Sequence, residues 1–477
     1  MLKAIIPSTL LVATLLSGCQ MAPKHVRPDL PTASTFSQSY AGDVSIGQRA
    51  TEISWRDFLV DPQLESLVAT ALAHNRDLAV AVAQIEEARG QYRIQDSTRL
   101  PNVDASGSAI RSRTPLASAG LPGQQGSITL NRYSVGVGIS SFELDFWGRV
   151  RNLSEAARSQ YLATVEAERA FRLALTRDVA STYFSGREAA ERIALAEATV
   201  RSRQEGLRIA KRRLDAGVTS ALDFRQSESL LTQAETELAG LKLVKAQSDN
   251  FLAVLTGGPL PGTLPTPLPL ARQASPAELA AGLPSELLVA RPDIIAAEEQ
   301  LRAARANIGA ARAAFFPTIS LTGNIGFASD ALGNLVGENG FSWSFGPSIS
   351  LPIFDFGRTQ GNLTVAEARE NIAIATYEKT VQTAFQEVSN ALAGRRFLAE
   401  QVAAQERGTE AQRRIARLAQ TRYREGVANY LEVLDAERNL FSAEQALLQL
   451  RRAQADNLVA LYVALGGGPV ERVAQQP

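Results

Sequence analysis

The chain of 477 residues holds one cysteine, two histidines and two methionines. A disulfide framework needs cysteine pairs and a structural zinc site needs several Cys or His ligands, so neither is expected. Lys plus Arg and Asp plus Glu number 49 each, which leaves no net charge and no basic footprint for a nucleic acid. Beyond the N-terminus no run of 18 uncharged apolar residues occurs, so no helix of the mature chain is expected to span a bilayer. The other structure able to cross lipid is a closed barrel of strands. There is also no nucleophile elbow, phosphate-binding loop, HExxH pair or metal-ligand cluster. The expectation is therefore a protein that is not an enzyme and has no cofactor and no metal site. With 45% hydrophobic residues there is ample chain for a large core.

What is present begins with a secretory leader. Lys3 supplies the basic start, Ala4 to Leu16 the apolar stretch, and small residues follow. The end of this leader, Leu16-Ser17-Gly18-Cys19, resembles a bacterial lipoprotein cleavage box, in which the cysteine becomes the lipidated first residue. The single cysteine of the chain falls at the position the box requires. Gln20 follows it rather than the aspartate that retains such lipoproteins in the inner membrane, which by that resemblance points to the outer membrane.

The remainder is one unit written twice. HNRDLAVA (74–81) matches ARPDIIAA (290–297), and LPNVDASG (100–107) matches FPTISLTG (316–323) at the same offset. FELDFWGR (142–149) matches PIFDFGR (352–358), and RRLDAGVTSALDFRQSES (212–229) matches TRYREGVANYLEVLDAER (421–438). Shared order at nearly constant offset indicates duplication. The expected organisation is a signal peptide over 1–18, a lipidated extended segment over 19–60, a first repeat over 61–256, a proline-rich connector over 257–290, a second repeat over 291–466 and a tail over 467–477.

Each repeat reads helix, strand, strand, long helix, return helix. A helix opens the first at Asp61-Pro62, an N-cap followed by proline at N1, and its pattern runs to about Arg99. The second opens at Pro292 and runs to about Phe315. Strands are expected over about 102–112 and 131–145, then 318–328 and 341–354, joined by Gly/Pro/Ser-rich loops at 111–131 and 328–340. The last strand, FSWSFGPSISLPI (341–353), alternates Phe341, Trp343, Phe345, Pro347 and Ile349 with Ser342, Ser344, Gly346, Ser348 and Ser350. Period two gives two unlike faces, one apolar and one small and uncharged. Long proline-free helices are expected over about 148–213 and 357–424, each roughly 100 Å at 1.5 Å per residue. An apolar stripe through Val381, Phe385, Val388, Leu392, Leu398, Val402, Ile415 and Leu418 has coiled-coil-like spacing. Each long helix ends at a Gly-Val turn, Gly217-Val218 and Gly426-Val427, and return helices follow over about 220–255 and 429–465.

Four strands cannot close a barrel, and a membrane barrel has no open edge. Other copies must complete it. Eight strands from a dimer would need side chains to fill the interior, and Ser, Gly, Thr and Asn are too small, which favours twelve from a trimer. Phe341, Trp343, Phe345 and Ile349 would then face lipid and the serines a wet lumen. The helices cannot lie in that membrane and would extend into the periplasm.

These features are those of a known family. The chain resembles the TolC/OprM-type outer membrane efflux proteins, and among them the lipoprotein (NodT-like) branch of tripartite RND pumps. The residues carrying the resemblance are LPSELLVARPDIIAAEEQLRAARANIGAARAAFFPTISLTG (283–323), the strand-end motifs ELDFWGR and IFDFGR, and RYREGVANYLEVLDAER (422–438). It implies an α+β membrane protein: a homotrimer with a twelve-stranded transmembrane β-barrel continued by a twelve-helix periplasmic α-barrel. It implies a periplasmic adaptor and a proton-driven inner-membrane RND pump as partners, with outer membrane lipid around the barrel. The subunit itself would be a passive exit duct for substrates such as drugs, opened by an iris-like movement of the helix pairs.

In that family carboxylates at the curled periplasmic end line the narrowest point. Matched residue by residue, they are Asp223 in the first repeat, and Glu432 and Asp435 in the second. Tyr423 and Asp223 align with a pair whose hydrogen bond ties neighbouring helices in the closed state. A second tie uses an arginine where this chain has Ala428, so that latch is absent or built differently, with Arg213 and Arg424 as nearby substitutes. Two other readings compete: a periplasmic adaptor or coiled-coil scaffold without a pore, and protein export through a type I system. An adaptor would lack the paired strands with uncharged outer faces and the duplication. The lipoprotein box tilts away from type I export.

Overall fold

The structure, a computed structural model, describes residues 21–29, 31–37, 47–115, 126–260, 262–273, 279–280, 284–337 and 340–468. Cys19 and the leader lie outside them. By internal contacts the chain divides into two compact units. One comprises residues up to 28, 85–164 and 297–377, the other 29–84, 165–296 and 378 onward. Both units draw on both repeats, because partners come from equivalent elements far apart in the chain.

Helix α1 (Pro62–His74) starts where Asp61 accepts the Gln63 N–H at 2.9 Å and Pro62 fills the first turn. The sequence predicts one helix from here to about Arg99, but the helix breaks at Asn75. There ψ is 131°, and the Asn75 side chain accepts the Leu78 N–H at 2.8 Å and donates to the Leu255 carbonyl at 2.9 Å. Asparagine is a good N-cap, so it closes one helix and opens the next, α2 (Arg76–Ser97).

Strands β1 (Val103–Pro115), β2 (Ser127–Glu143), β3 (Thr318–Ser329) and β4 (Phe341–Ser350) form one antiparallel sheet in that order. The first hairpin is longer than its loop-like sequence suggests. The two ends of the expected loop at 111–131 are strand: Arg111 to Pro115 pair with Ser127 to Asn131, and Arg113 Nε donates to Ser127 Oγ at 2.6 Å. Strand β4 is shorter than the expected 341–354, since Pro352 has no N–H for a ladder. Strand β2 also stops two residues early, after a bulge between Ile139 and Phe142.

Helices α3 (Arg149–Asp215) and α6 (Arg358–Arg424) have 67 residues each, and the return helices α4 (Ala221–Leu255) and α7 (Tyr430–Ala464) have 35 each. Asp145 accepts the N–H groups of Val150 and Arg151 at the start of α3, and Asp355 accepts that of Thr359 at the start of α6. An aspartate in each strand-end motif thus satisfies amides the helix leaves free. Helix α5 (Pro292–Ala313) precedes β3. The stripe on α6 is buried at Val381, Val388, Leu392 and Val402, but Ile415 and Leu418 stay exposed.

Each unit has a buried carboxylate that gathers several donors. In one, Glu298 of α5 receives His25 Nε2 and Arg27 Nε at 3.0 Å and Arg302 at 2.8 Å, so the segment leading from the N-terminus is held against α5. In the other, Asp61 is fully buried and accepts from the Tyr183 hydroxyl at 2.6 Å, the Leu268 N–H at 3.0 Å and the Gln273 amide. The N-cap of α1 therefore also ties α3 to the connector. A buried acceptor that loses its place strands every donor around it. Asp61→Ala is expected to cost about 3 kcal/mol or more and Tyr183→Phe about 1 kcal/mol. Thermal unfolding followed by circular dichroism checks this; equal losses from the two variants would contradict the shared node.

Candidate functional site

The sheet has two unlike faces, set by register. One row pairs Ile319 with Ile349, Ile325 with Trp343 and Phe327 with Phe341, and continues across β2 and β1 through Val137 and Ala105. Trp343 and Ile349 are each 71% exposed, and Phe341 and Phe345 more than half. The opposite row carries Ser106, Ser108, Ser134, Gly136, Ser320, Thr322, Asn324, Ser344 and Ser348. Its hydroxyls bond each other across strands, Ser108 to Ser134 at 2.8 Å and Ser320 to Ser348 at 2.7 Å. All four sequence-identified residues of β4 stand on the apolar face. Aromatics bracket it: Phe327 and Phe341 meet edge to face at one end, and Trp147 stacks on Phe316 near the other. An exposed apolar band with aromatic rims is what lipid-facing strands require.

At the other candidate site, the chain turns at Gly217 and Gly426 with φ of +73° and +75°. The left-handed region suits glycine, and both turns satisfy the helix end in the same way. Val218 N–H returns to the Arg213 carbonyl at 2.8 Å and Gly217 N–H to Leu214 at 2.9 Å; Val427 and Gly426 do the same to Arg422 and Tyr423 at 3.0 Å. Each return helix then starts with a cap. Ser220 and Asp223 form a reciprocal capping box, and Asn429 accepts the Glu432 N–H at 3.0 Å.

The acidic candidates are thus partly local structure. Asp223 accepts from the Thr219 hydroxyl at 2.5 Å and from the Ser220 N–H, and these bonds, Thr219 foremost, hold its carboxyl below the usual range. Glu432 pairs with Arg422 at 3.0 Å and Asp435 with Arg438 at 3.0 Å. These arginines were not singled out in the sequence. Their i,i+3 spacing for one pair was legible, but a pair across the turn was not.

Within the chain, Tyr423 and Asp223 are not brought together. The Tyr423 hydroxyl accepts from Arg213, which also lies 5.8 Å above the phenol ring, and Tyr423 packs 5.2 Å from Tyr430. Of the two arginines near the turns, Arg213 thus reaches the other hairpin, whereas Arg424 reaches back to the Gln420 carbonyl in its own helix. Two further contacts join the hairpins and were not foreseen. Gly206 of α3 leaves room for the Tyr430 hydroxyl, which a Cβ there would overlap. Buried Arg203 donates to the Leu230 carbonyl and lies 5.6 Å over Phe441. Burial pushes the Tyr430 hydroxyl up to about 12, so it stays a neutral phenol.

Farther along the same helices, Arg192 of α3 bonds Glu188, Glu237 of α4 and Gln445 of α7 beside a cavity of about 570 Å³ also lined by Arg452 and Asp456. Burial raises the Asp456 carboxyl to about 6 although Arg452 lies 3.1 Å away.

A strand meander with an exposed apolar face, joined to helices of 67 residues, defines a subunit of an outer membrane channel. The comparisons agree. The chain belongs to the outer membrane efflux protein family, whose profile matches residues 67–258 and 283–467. It is 42% identical to the probable efflux pump outer membrane protein TtgC of Pseudomonas putida over 98% of this chain and 96% of that one. It is 40% identical to the cation efflux system protein CusC of Escherichia coli over 96% and 98%. The crystal structure of the open state of the Neisseria gonorrhoeae MtrE outer membrane channel has a TM-score of 0.85 and 41% identity, covering 94% of this chain and 98% of that one.

The raised Asp456 carboxyl has a consequence for stability. Folding favours its protonated form, so its contribution is fully present below the unfolded value near 4 and is lost as pH rises through about 6. The loss is roughly 2–3 kcal/mol. Asp456→Asn cannot ionise, so the difference in thermal midpoint between variant and wild type is expected to change between pH 4 and 6 and to level off above. A difference constant from pH 4 to 8 would mean that the group does not titrate there.

Proposed function

We propose that three copies of this chain form the exit duct of a tripartite efflux pump, with a twelve-stranded barrel in the outer membrane and a twelve-helix tube in the periplasm. The observation that carries this reading is the division of the sheet into an exposed apolar face and a small hydroxyl-lined face. Lipid suits the first and water the second. A four-stranded sheet also leaves the outer sides of β1 and β4 unpaired, and unpaired backbone is not tolerated in hydrocarbon. Three sheets closing edge to edge remove every free edge. The exposed Ile415 and Leu418 on α6 suit cover by neighbouring helices. Cys19 would carry the lipid anchor. A periplasmic adaptor and a proton-driven inner-membrane RND pump would deliver substrates such as drugs, and the duct would pass them without chemistry.

The gate is assigned to the helix turns. Asp223, Glu432 and Asp435 would line the narrow end in threefold rings, tempered by Arg422 and Arg438. The contact of Arg213 with Tyr423 would serve as the latch between the two hairpins of one copy, with Tyr430 seated at Gly206 as its second point. A hydrogen bond to a charged donor contributes roughly 1.5–3 kcal/mol, so three such latches hold a gate that an adaptor can outweigh.

Planar-bilayer conductance tests both parts. The wild type is expected to give small, mostly closed, cation-selective channels. Glu432→Gln/Asp435→Asn should weaken the selectivity, and Arg213→Ala should raise the open probability. Channels unaltered by all three changes would refute the gate and leave the duct; a protein that coats the bilayer without conducting would refute the duct.

A further inference from the structure

The hairpin of β1 and β2 stands above the rest of the sheet. Pairing of β2 with β3 begins at Tyr133 opposite Ser329, so residues 110–115 and 127–132 pair only with each other. They lie at the end of the strands away from the helices. On the present reading that is the outer mouth.

Along this extension the two faces exchange character. Below it, odd-numbered residues of β1 and β2 are apolar: Val103, Ala105, Val135 and Val137. Above it, the same face carries Arg111, Arg113, Thr129 and Asn131. The even face changes the other way. Serines and glycines give place to Ile110, Leu130 and Ile128, with exposures of 55%, 52% and 41%. Register places these three on one side of the hairpin, with Ile110 opposite Arg132, Leu130 opposite Ser112 and Ile128 opposite Thr114.

The outward exchange has a simple cause: past the edge of the hydrocarbon, arginine and asparagine meet water and headgroups. The inward exchange needs another. A free hairpin in water gains nothing by gathering Ile, Ile and Leu on the axis side, beside Arg132, while Arg111 and Arg113 sit outside. In a threefold barrel the surface across the axis is the same face of another copy, and the apolar face continues the lumen wall.

We propose that the three hairpin extensions lean together through Ile110, Ile128 and Leu130 and make an apolar collar over the outer mouth. The occupant of this surface is thus a second copy of the chain. Arg132 borders the collar on the lumen side, where its guanidinium stays wet. An apolar constriction resists water and ions until it is spread, so the duct has an outer barrier independent of the periplasmic latch. This inference rests on the trimeric barrel.

Single cysteines test it. Leu130→Cys and its neighbour Thr129→Cys sit on opposite faces of one strand. In intact cells under mild oxidation, most Leu130→Cys chains are expected to run as disulfide dimers on non-reducing gels. Three thiols around an axis can pair only two at a time, and a disulfide needs Cα atoms within about 7 Å. Thr129→Cys and wild type should stay monomeric. Equal cross-linking at both positions, or more at Thr129→Cys, would overturn the collar. Glutaraldehyde treatment separates the two ways of failing. A trimer that forms no Leu130→Cys disulfide rejects the collar alone, and a chain that remains monomeric rejects the barrel beneath it.

Discussion

Every strand placed in lipid must have its backbone paired, because nothing else there accepts an N–H or donates to a carbonyl. The chain offers four strands in a meander with two open sides. That mismatch governs the rest. It makes the subunit incomplete alone, and it explains an apolar face that a water-soluble sheet would cover.

The duplication is not symmetrical in detail. Both long helices begin under an aspartate of the strand-end motif and end at a glycine in the left-handed region. The equivalent caps differ, however: Ser220 with Asp223 in one hairpin and Asn429 with Glu432 in the other. So do the charges. Asp223 is tied to its own turn, while Glu432 and Asp435 each hold an arginine. The contacts that join the two hairpins (Arg213 to Tyr423, Gly206 to Tyr430) likewise involve different elements on the two sides.

Buried carboxylates organise the helical parts. Asp61 and Glu298 each gather donors from segments far apart in sequence. Such nodes are stable because each oxygen has a partner, and they fix position more strictly than apolar contact alone. Through Glu298 the segment that carries His25 and Arg27 is fastened to α5.

Local pattern decided much of this protein. Period-two alternation in 341–353 determined the two faces of β4, the absence of proline determined the long helices, and the Gly-Val pairs determined where they turn. Each of these depends on neighbours within a few residues, so each is legible in a line of text. The repeats exposed the architecture, and the carboxylates near the turns followed from the resemblance. Tertiary structure decided the remainder. Asn75 breaks a continuous helical pattern because the Leu255 carbonyl is there to receive its amide. Residues 111–115 and 127–131 look like loop until they face each other across a ladder. Tyr423 takes Arg213, which the preceding long helix α3 brings to its hydroxyl, rather than Asp223. Asp456 has an ordinary place in the sequence and an altered carboxyl only because three helices bury it. In each case the deciding partner lies beyond the reach of local pattern, and only packing brings it within bonding distance.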